Sequence, residues 1–371
     1  MIEIMIELIY THITYTTIFR RLLSMSLTYS EIKQQYTALQ QTYDYMLSKR
    51  QEIIAFAKSE SITSVTFVGC GSSYCLSESA AFSTRLRAGL PASALAGGDL
   101  MLNPERYNTL LDKTLLVAPS RSGSTSEVVE ALRLLQNDKP IAVLTLSCVT
   151  DSPLSKKANL SLELPWAFDH SVCQTRTVTN LYVANLMLTA FLGNDEVVIA
   201  DIQKAINQGE AYMARVESDI RKTADFAWTN AVVLADGELQ GLASEGAIAL
   251  TEIAKVQAHS YHLLDVRHGP MVTVGPDTLV IAAITGNGTE QQRNLMRDIK
   301  GRGATIIAFA DHADAVAAEH VDLAVISDNR LDVAVQGIPF IFIPQIVALT
   351  SADRQGINPD QPDGLVAWVK L

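Results

Sequence analysis

Cysteine is scarce in this 371-residue chain. Cys70, Cys75, Cys148 and Cys173 are its only four, and none shows the paired spacing of a zinc site. Free thiols in a reducing, cytoplasmic compartment are the expectation, and neither metal nor cofactor is called for. Positive charge is also short. Lys and Arg number 29 against 40 acids, a formal net charge of −11. That balance speaks against nucleic acid or an anionic membrane as partner, while leaving local phosphate binding open. No uninterrupted apolar run is long enough to cross a bilayer, because residues 1–23 are broken by Glu3, Glu7, His12, Arg20 and Arg21. No basic segment precedes an apolar core, so a signal peptide is not expected. Met25 reads as an alternative start, and residues 1–24 are set aside as an extra segment. Low-complexity tracts are missing too. With 48% apolar residues the chain folds rather than staying disordered, and its length suits two medium domains.

What is present is a repeated scheme of buried strand, small polar loop and helix. Its clearest copy is TLLVAPSRSGSTSEVVEAL, residues 114–132. Leu115–Ala118 reads as a buried parallel strand. Ser120 to Ser126 form a hydroxyl-rich loop, and Ser126 with Glu127 starts a helix. Such a junction points backbone N–H groups and a helix dipole at whatever sits in the loop, which suits an anion. Arg121 adds a charged fork. Taken alone, the same loop is also an ordinary turn between strand and helix.

Residues 64–82 repeat the scheme, with Gly69, Gly71, Ser72 and Ser73 in the loop. Further strands are expected at 140–147, 161–164, 231–235, 279–284, 304–310 and 323–326. Helices are expected at 28–59, 180–192, 196–226, 241–256, 290–300 and 340–348, and 91–103 reads as a strand leading into a loop. The alternation predicts an α/β fold of doubly wound parallel sheets flanked by helices. Ligands then sit at the carboxyl ends of strands, where three hydroxyl-rich loops converge.

The ordered stretches FVGCGSSY (67–74), SRSGSTSE (120–127), HSVCQTRT (170–177), SEGAIALTEIA (244–254), DVRHGP (265–270) and NPDQP (358–362) carry a resemblance. Together they resemble the sugar isomerase (SIS) superfamily, with two tandem SIS domains. They are close in pattern to the isomerase half of glucosamine-6-phosphate synthase and to stand-alone phosphosugar deaminases and deglycases. The resemblance implies one domain over 25–222 and a second over 223–371. It implies phosphate on Ser120, Arg121, Ser122 and Thr125, sugar contacts from Cys70, Gly71, Ser72 and Ser73, and a wall from Val172 and Gln174. Glu252 falls where the family moves a proton between C1 and C2. His268 falls where a histidine opens the sugar ring from the neighbouring subunit, which implies a homodimer with shared sites. No glutaminase motif precedes these stretches, so ammonia from glutamine is not expected.

The chemistry stands on its own terms. Aldose–ketose isomerisation needs a base beside a carbonyl, and a partly buried glutamate has its pKa pushed toward the working range. A histidine exchanges a ring-oxygen proton near neutral pH. The plainer readings are a Glu252–Lys255 surface pair and a turn role for His268, with His259 and His262 nearby. Glu245, seven residues before Glu252, is either a second acid or a helix-start charge. The chain also departs from the family pattern. Ala249 and Ala367 stand where the synthase has lysines, and Lys370 is three residues from the second. A Schiff-base route is therefore not expected. The implied function is isomerisation or deamination of a hexose or amino-sugar 6-phosphate. The alternative is a non-catalytic phosphosugar sensor, weakened by the lack of a DNA-binding motif and of basic charge.

Overall fold

The structure is a computed structural model, and it describes residues 26–138, 140–286 and 288–367. The extra segment expected at 1–24 lies outside the described residues, as does Lys370.

The chain opens with two helices, α1 (Leu27–Lys33) and α2 (Gln35–Ser59). They are split at Gln34, where the continuous pattern predicts one helix. Strand β1 (Ser64–Gly69) and helix α3 (Ser72–Ser83) follow, then β2 (Ala92–Ala96), a short α4 (Gly97–Leu102), β3 (Thr114–Ser120), α5 (Ser126–Asp138), β4 (Ala142–Ser147) and β5 (Leu160–Glu163). Two long helices, α6 (Arg176–Gly193) and α7 (Glu196–Ala224), lead to the second half. There β6 (Asn230–Ala235), α8 (Gln240–Ala254), β7 (Gln257–His262), β8 (Thr278–Ile284), α9 (Glu290–Lys300), β9 (Thr305–Ala310) and β10 (Leu323–Ile326) precede α10 (Gly337–Phe340) and α11 (Phe342–Gln355).

The strands form two five-stranded sheets, ordered β2-β1-β3-β4-β5 and β10-β9-β8-β6-β7. Every pairing is parallel. Strands β3, β4 and β8 are buried along their whole length, as expected of strands covered on both faces. The expected α/β class with two doubly wound units is what the chain adopts. One departure is β7, which occupies a sheet edge and carries mostly exposed or half-exposed polar residues, so no apolar run announces it. Another is the second half of 91–103, which is helical rather than a loop.

The largest core cluster joins the two halves, with Tyr182, Leu242, Leu250, Phe340 and Phe342 packed as one body with Phe67 and Leu115. Helix α3 meets α8 so closely at Gly241 that a Cβ there would lie 2.2 Å from the Cys75 carbonyl and 2.6 Å from Ser79 Oγ. Nearby, Arg87 ties the halves by charge. It donates to both Glu238 oxygens and to both Asp332 oxygens, and lies 3.3 Å from Asp195. Among the described residues no helix is long and apolar enough to cross a membrane.

Candidate functional site

Because every strand of the first sheet runs the same way, the loops after β1, β3 and β5 emerge along one edge. The loop after β3 closes on itself. Ser120 Oγ accepts from the Gly123 N–H at 3.0 Å, and Ser122 Oγ accepts from the Ser124 N–H at 3.1 Å. The Leu154 N–H binds the Gly123 carbonyl, and Cys148 N–H reaches the carbonyls of Ser120 and Arg121. Gly123 takes a φ of 58°, and a Cβ there would fall 2.2 Å from Ser152 Oγ, so only glycine makes this turn. Ser120 and Ser122 thus use a lone pair inward and keep their O–H groups as donors. Thr125 spends its hydroxyl on no other described group, and its carbonyl starts α5 by accepting from Val129.

The loop after β1 is made of Cys70, Gly71, Ser72 and Ser73. Gly71 has a φ of 54° and its carbonyl accepts from Tyr74 and Cys75. Ser72 and Ser73 open α3 and are buried. The Cys70 thiol is half-buried against the Gly97 and Gly98 N–H groups. Burial and the neighbouring Glu127 raise its pKa.

The loop after β5 is held by two buried acids that the sequence did not single out. Glu31, on α1, accepts from the His170 and Ser171 N–H groups and from Ser171 Oγ. Asp169 Oδ2 accepts from Thr175 and Thr177 N–H at 2.7 and 2.9 Å. Burial, with Glu31 nearby, pushes its pKa up to about 6. Asp360 fastens the same loop from the other end of the chain. Its carbonyl accepts from Val172, and its carboxylate accepts from Leu27 N–H and from Thr28 N–H and Oγ1. Val172 and Gln174 are thereby fixed in place, and Gln174 Oε1 is buried without a partner.

Arg121 departs from the role the sequence suggested. Its side chain is buried, and Nη1 and Nη2 donate to the carbonyls of Ser171 (2.9 Å) and Ala367 (2.6 Å). The guanidinium fork is spent on joining the β5 loop to the tail rather than standing open for a phosphate. Burial lowers its pKa, opposed by the nearby charges of Asp169 and Glu252.

Glu252 projects from α8 as a half-buried carboxyl. Burial raises its pKa, while the Arg121 charge and hydrogen bonding from the Cys173 thiol pull it down. No ion pair to Lys255 forms. Lys255 is a left-handed cap with φ 53° that ends the helix. Glu252 opens on a cavity of about 550 Å³, lined also by Gly71, Cys75, Ser244, Thr251 and His259. The first loop and Glu252 therefore share one space. Ser120, Ser122 and Thr125 do not line it, while Arg121, the residue after Ser120, acts on Glu252 by charge. His268 is exposed and lies outside this cavity, its N–H bonded to the Asp265 carbonyl. His259, mentioned in the sequence only as a neighbour, lines the cavity from β7. Among the described residues no group of three or more His, Cys, Asp or Glu is placed to hold a metal ion.

A model of the SIS domain matches residues 56–192 and 226–351. The chain is 26% identical over 357 residues to glutamine–fructose-6-phosphate aminotransferase [isomerizing] of Shewanella oneidensis, covering 92% of this chain and 58% of that protein. It is 25% identical over 360 residues to the protein of the same name from Sulfolobus acidocaldarius, covering 92% and 56%. It thus spans somewhat over half the length of these curated relatives. Two solved structures share the fold. Tagatose-6-phosphate ketose/aldose isomerase from Escherichia coli superposes with a TM-score of 0.79 at 21% identity, covering 92% of this chain and 96% of that one. Glucosamine-6-phosphate deaminase from Thermotoga maritima gives 0.78 at 22%, covering 93% and 100%.

Proposed function

The chain belongs to the SIS domain family, and from that premise we propose that it binds a hexose or amino-sugar 6-phosphate and shifts a proton between C1 and C2. The observation that carries this reading is Glu252, a carboxyl with a raised pKa facing a sugar-sized cavity beside the Gly71 loop. The O–H donors of Ser120 and Ser122, the free hydroxyl of Thr125 and the start of α5 suit a phosphate ester without a dedicated cation. Arg121 supports that loop by anchoring its neighbours. Cys70, Ser72 and Ser73 would contact the sugar from the loop that gives Gly71 to the cavity.

In the reaction proposed, ionised Glu252 takes the proton from the carbon next to the carbonyl. The C–H electron pair becomes the C1–C2 double bond while the carbonyl oxygen takes a proton from water, giving an enediol; the other hydroxyl then gives its proton to water as the same carboxyl returns its proton one carbon away. An amino-sugar substrate begins with the same proton transfer, which leaves an imine at C2; water adds to that carbon and ammonia leaves as the carbonyl forms. His268 of a second copy opens the sugar ring, so the working unit is a homodimer in the cytoplasm. The domain division at 222/223 belongs to the same reading.

The test is turnover. Fructose 6-phosphate, glucosamine 6-phosphate and fructosamine 6-phosphates are assayed with the wild type and with Glu252→Gln. Conversion of at least one, lost in the variant, supports the enzyme. Binding without conversion of any leaves a phosphosugar sensor in its place.

A further inference from the structure

The cavity at Glu252 extends well past that carboxyl. On α8 it is lined by Ser244, Ala247, Ile248, Thr251 and Glu252, a spacing that puts all five on one helix face. Ser244 lies about two turns before Glu252, about 12 Å along the helix axis. The opposite wall is β7, the edge strand of the second sheet, which gives Ala258 and Ser260. The hydroxyls of Ser244 and Ser260 meet at 3.0 Å. The cavity is thus a trough between helix and edge strand. Glu252 stands toward one end, small apolar side chains line its length, and a pair of hydroxyls stands toward the other.

This lining selects which part of a ligand enters. Among the described residues no lysine or arginine lines the trough, and Glu252 is its one carboxyl. A phosphate would meet repulsion there and no counter-charge, whereas the Ser120 loop, with its O–H donors, lies outside. A sugar phosphate therefore sends its C1–C2 end to Glu252, and whatever fills the trough beyond is joined to that end. An oxygen substituent on the carbonyl carbon would make an acetal and remove the carbonyl that acidifies the neighbouring C–H. A nitrogen on C1 of a 2-ketose leaves that carbonyl intact and continues the chain past Glu252.

We propose that the trough is a subsite for an aliphatic chain on the C1 nitrogen of a 2-ketose 6-phosphate, so that the protein splits sugar–amine conjugates. The inference rests on the phosphosugar reading of the site. Glu252 takes a proton from C1, the C–H electron pair becomes the C1–C2 double bond, and the C2 oxygen takes a proton from water. The carboxyl returns its proton to C2 as the nitrogen lone pair closes a C1–N double bond and the N–H proton goes to water. Water adds to this C1 imine. The C–N bond then breaks, with a proton passing from the added water to nitrogen, and an aldose 6-phosphate and the free amine result. Ala247 and Ala258 keep the trough open, since a longer side chain at either fills it.

The test compares fructose 6-phosphate, fructosamine 6-phosphate and N-(6-hydroxyhexyl)fructosamine 6-phosphate, whose chain is long enough to carry a hydroxyl toward Ser244 and Ser260. Dissociation constants are measured by calorimetry, and kcat/KM by the appearance of aldose 6-phosphate. The wild type should favour the hydroxyhexyl compound over fructosamine 6-phosphate at least about tenfold in both. Ala247→Leu and Ala258→Leu should each bring that ratio near one. Ala258 is half-exposed on an edge strand, so its variant does not depend on repacking a core. A wild-type ratio near one, or a ratio that both leucine variants leave unchanged, overturns the proposal, and turnover of fructose 6-phosphate in the same assay then leaves the isomerase reading standing. If none of the three is converted, yet the hydroxyhexyl compound binds about tenfold tighter and Ala258→Leu removes the difference, the proton-transfer reading falls and the subsite stands. If none binds, both fall.

Discussion

Arg121 and Glu252 come from different halves of the chain, a loop after β3 and helix α8, yet the guanidinium of the first pulls down the pKa of the second. Arg121 follows the last residue of β3 and Glu252 lies near the end of α8, more than a hundred residues on. Two carbonyls, of Ser171 and Ala367, hold the guanidinium in place. One buried cation thus holds the wall of the site and the tail together and opposes the rise in pKa that burial imposes on the candidate base.

Removing that cation has a signed consequence. Glu252 must be ionised to act as a base, so activity falls as pH drops through its pKa. Without Arg121 burial is unopposed and the pKa rises. Arg121→Gln should move the acid limb of kcat/KM to higher pH. A limb that stays in place would show that the two charges do not communicate.

The hydroxyls of the β3 loop separate into two kinds. Ser120 holds the loop's own backbone by accepting from Gly123, whereas no described group takes the Thr125 hydroxyl. Thr125→Ala should weaken phosphosugar binding about tenfold, the scale of one hydrogen bond to a charged group, with the Tm unchanged. Ser120→Ala should lower the Tm as well. Calorimetry and thermal melts on both variants decide it, and equal Tm losses would contradict the division.

How much of this could be read from the chain follows from where each signal lies. The strand, loop and helix at 114–132 announce themselves through local patterning, whereas Glu252 stands out only through the resemblance of its stretch to the family motif, since by pattern alone it could pair with Lys255 or an arginine. Strand β7 does not, because an edge strand that lines a cavity needs no apolar alternation, and His259 and Ser260 there look like loop residues. The fork of Arg121 points to an anion until the fold brings Ser171 and Ala367 to it. Glu31 and Asp360 sit near opposite ends of the chain, and only their convergence on the 169–172 loop gives them a role. His268 shows the reverse case. Its motif is conspicuous, but within one chain it stands exposed and apart from Glu252.

Arg87 offers a test of how the halves are joined. Its side chain is 12% exposed and that of Glu238 5%, so the pair is largely removed from water. Arg87→Ala leaves Glu238, Asp332 and Asp195 facing one another without a cation. The cost should be about 3 kcal/mol, as for a broken buried ion pair. Urea denaturation measures it, and a loss below about 1 kcal/mol, the range of surface pairs, would contradict it.

The shared site of the proposed homodimer can be tested by complementation. Glu252→Gln and His268→Ala homodimers should both be inactive. If each site takes its glutamate from one chain and its histidine from the other, a mixed dimer contains one intact site. An equal mixture, unfolded and refolded together, should then recover about a quarter of wild-type activity, since half the dimers are mixed. No recovery would place both residues in the same chain's site, and an active His268→Ala homodimer would place His268 outside it.

The most direct measurement of the proposed proton transfer is exchange with solvent. Fructose 6-phosphate and glucosamine 6-phosphate are incubated with the protein in deuterated water and followed by proton NMR at C1 and C2. We expect the wild type to wash deuterium into the carbon beside the carbonyl and Glu252→Gln to bind the sugar without doing so. Bound sugar that keeps its C–H protons in the wild type, or exchange that survives Glu252→Gln, would contradict a carboxylate base at position 252.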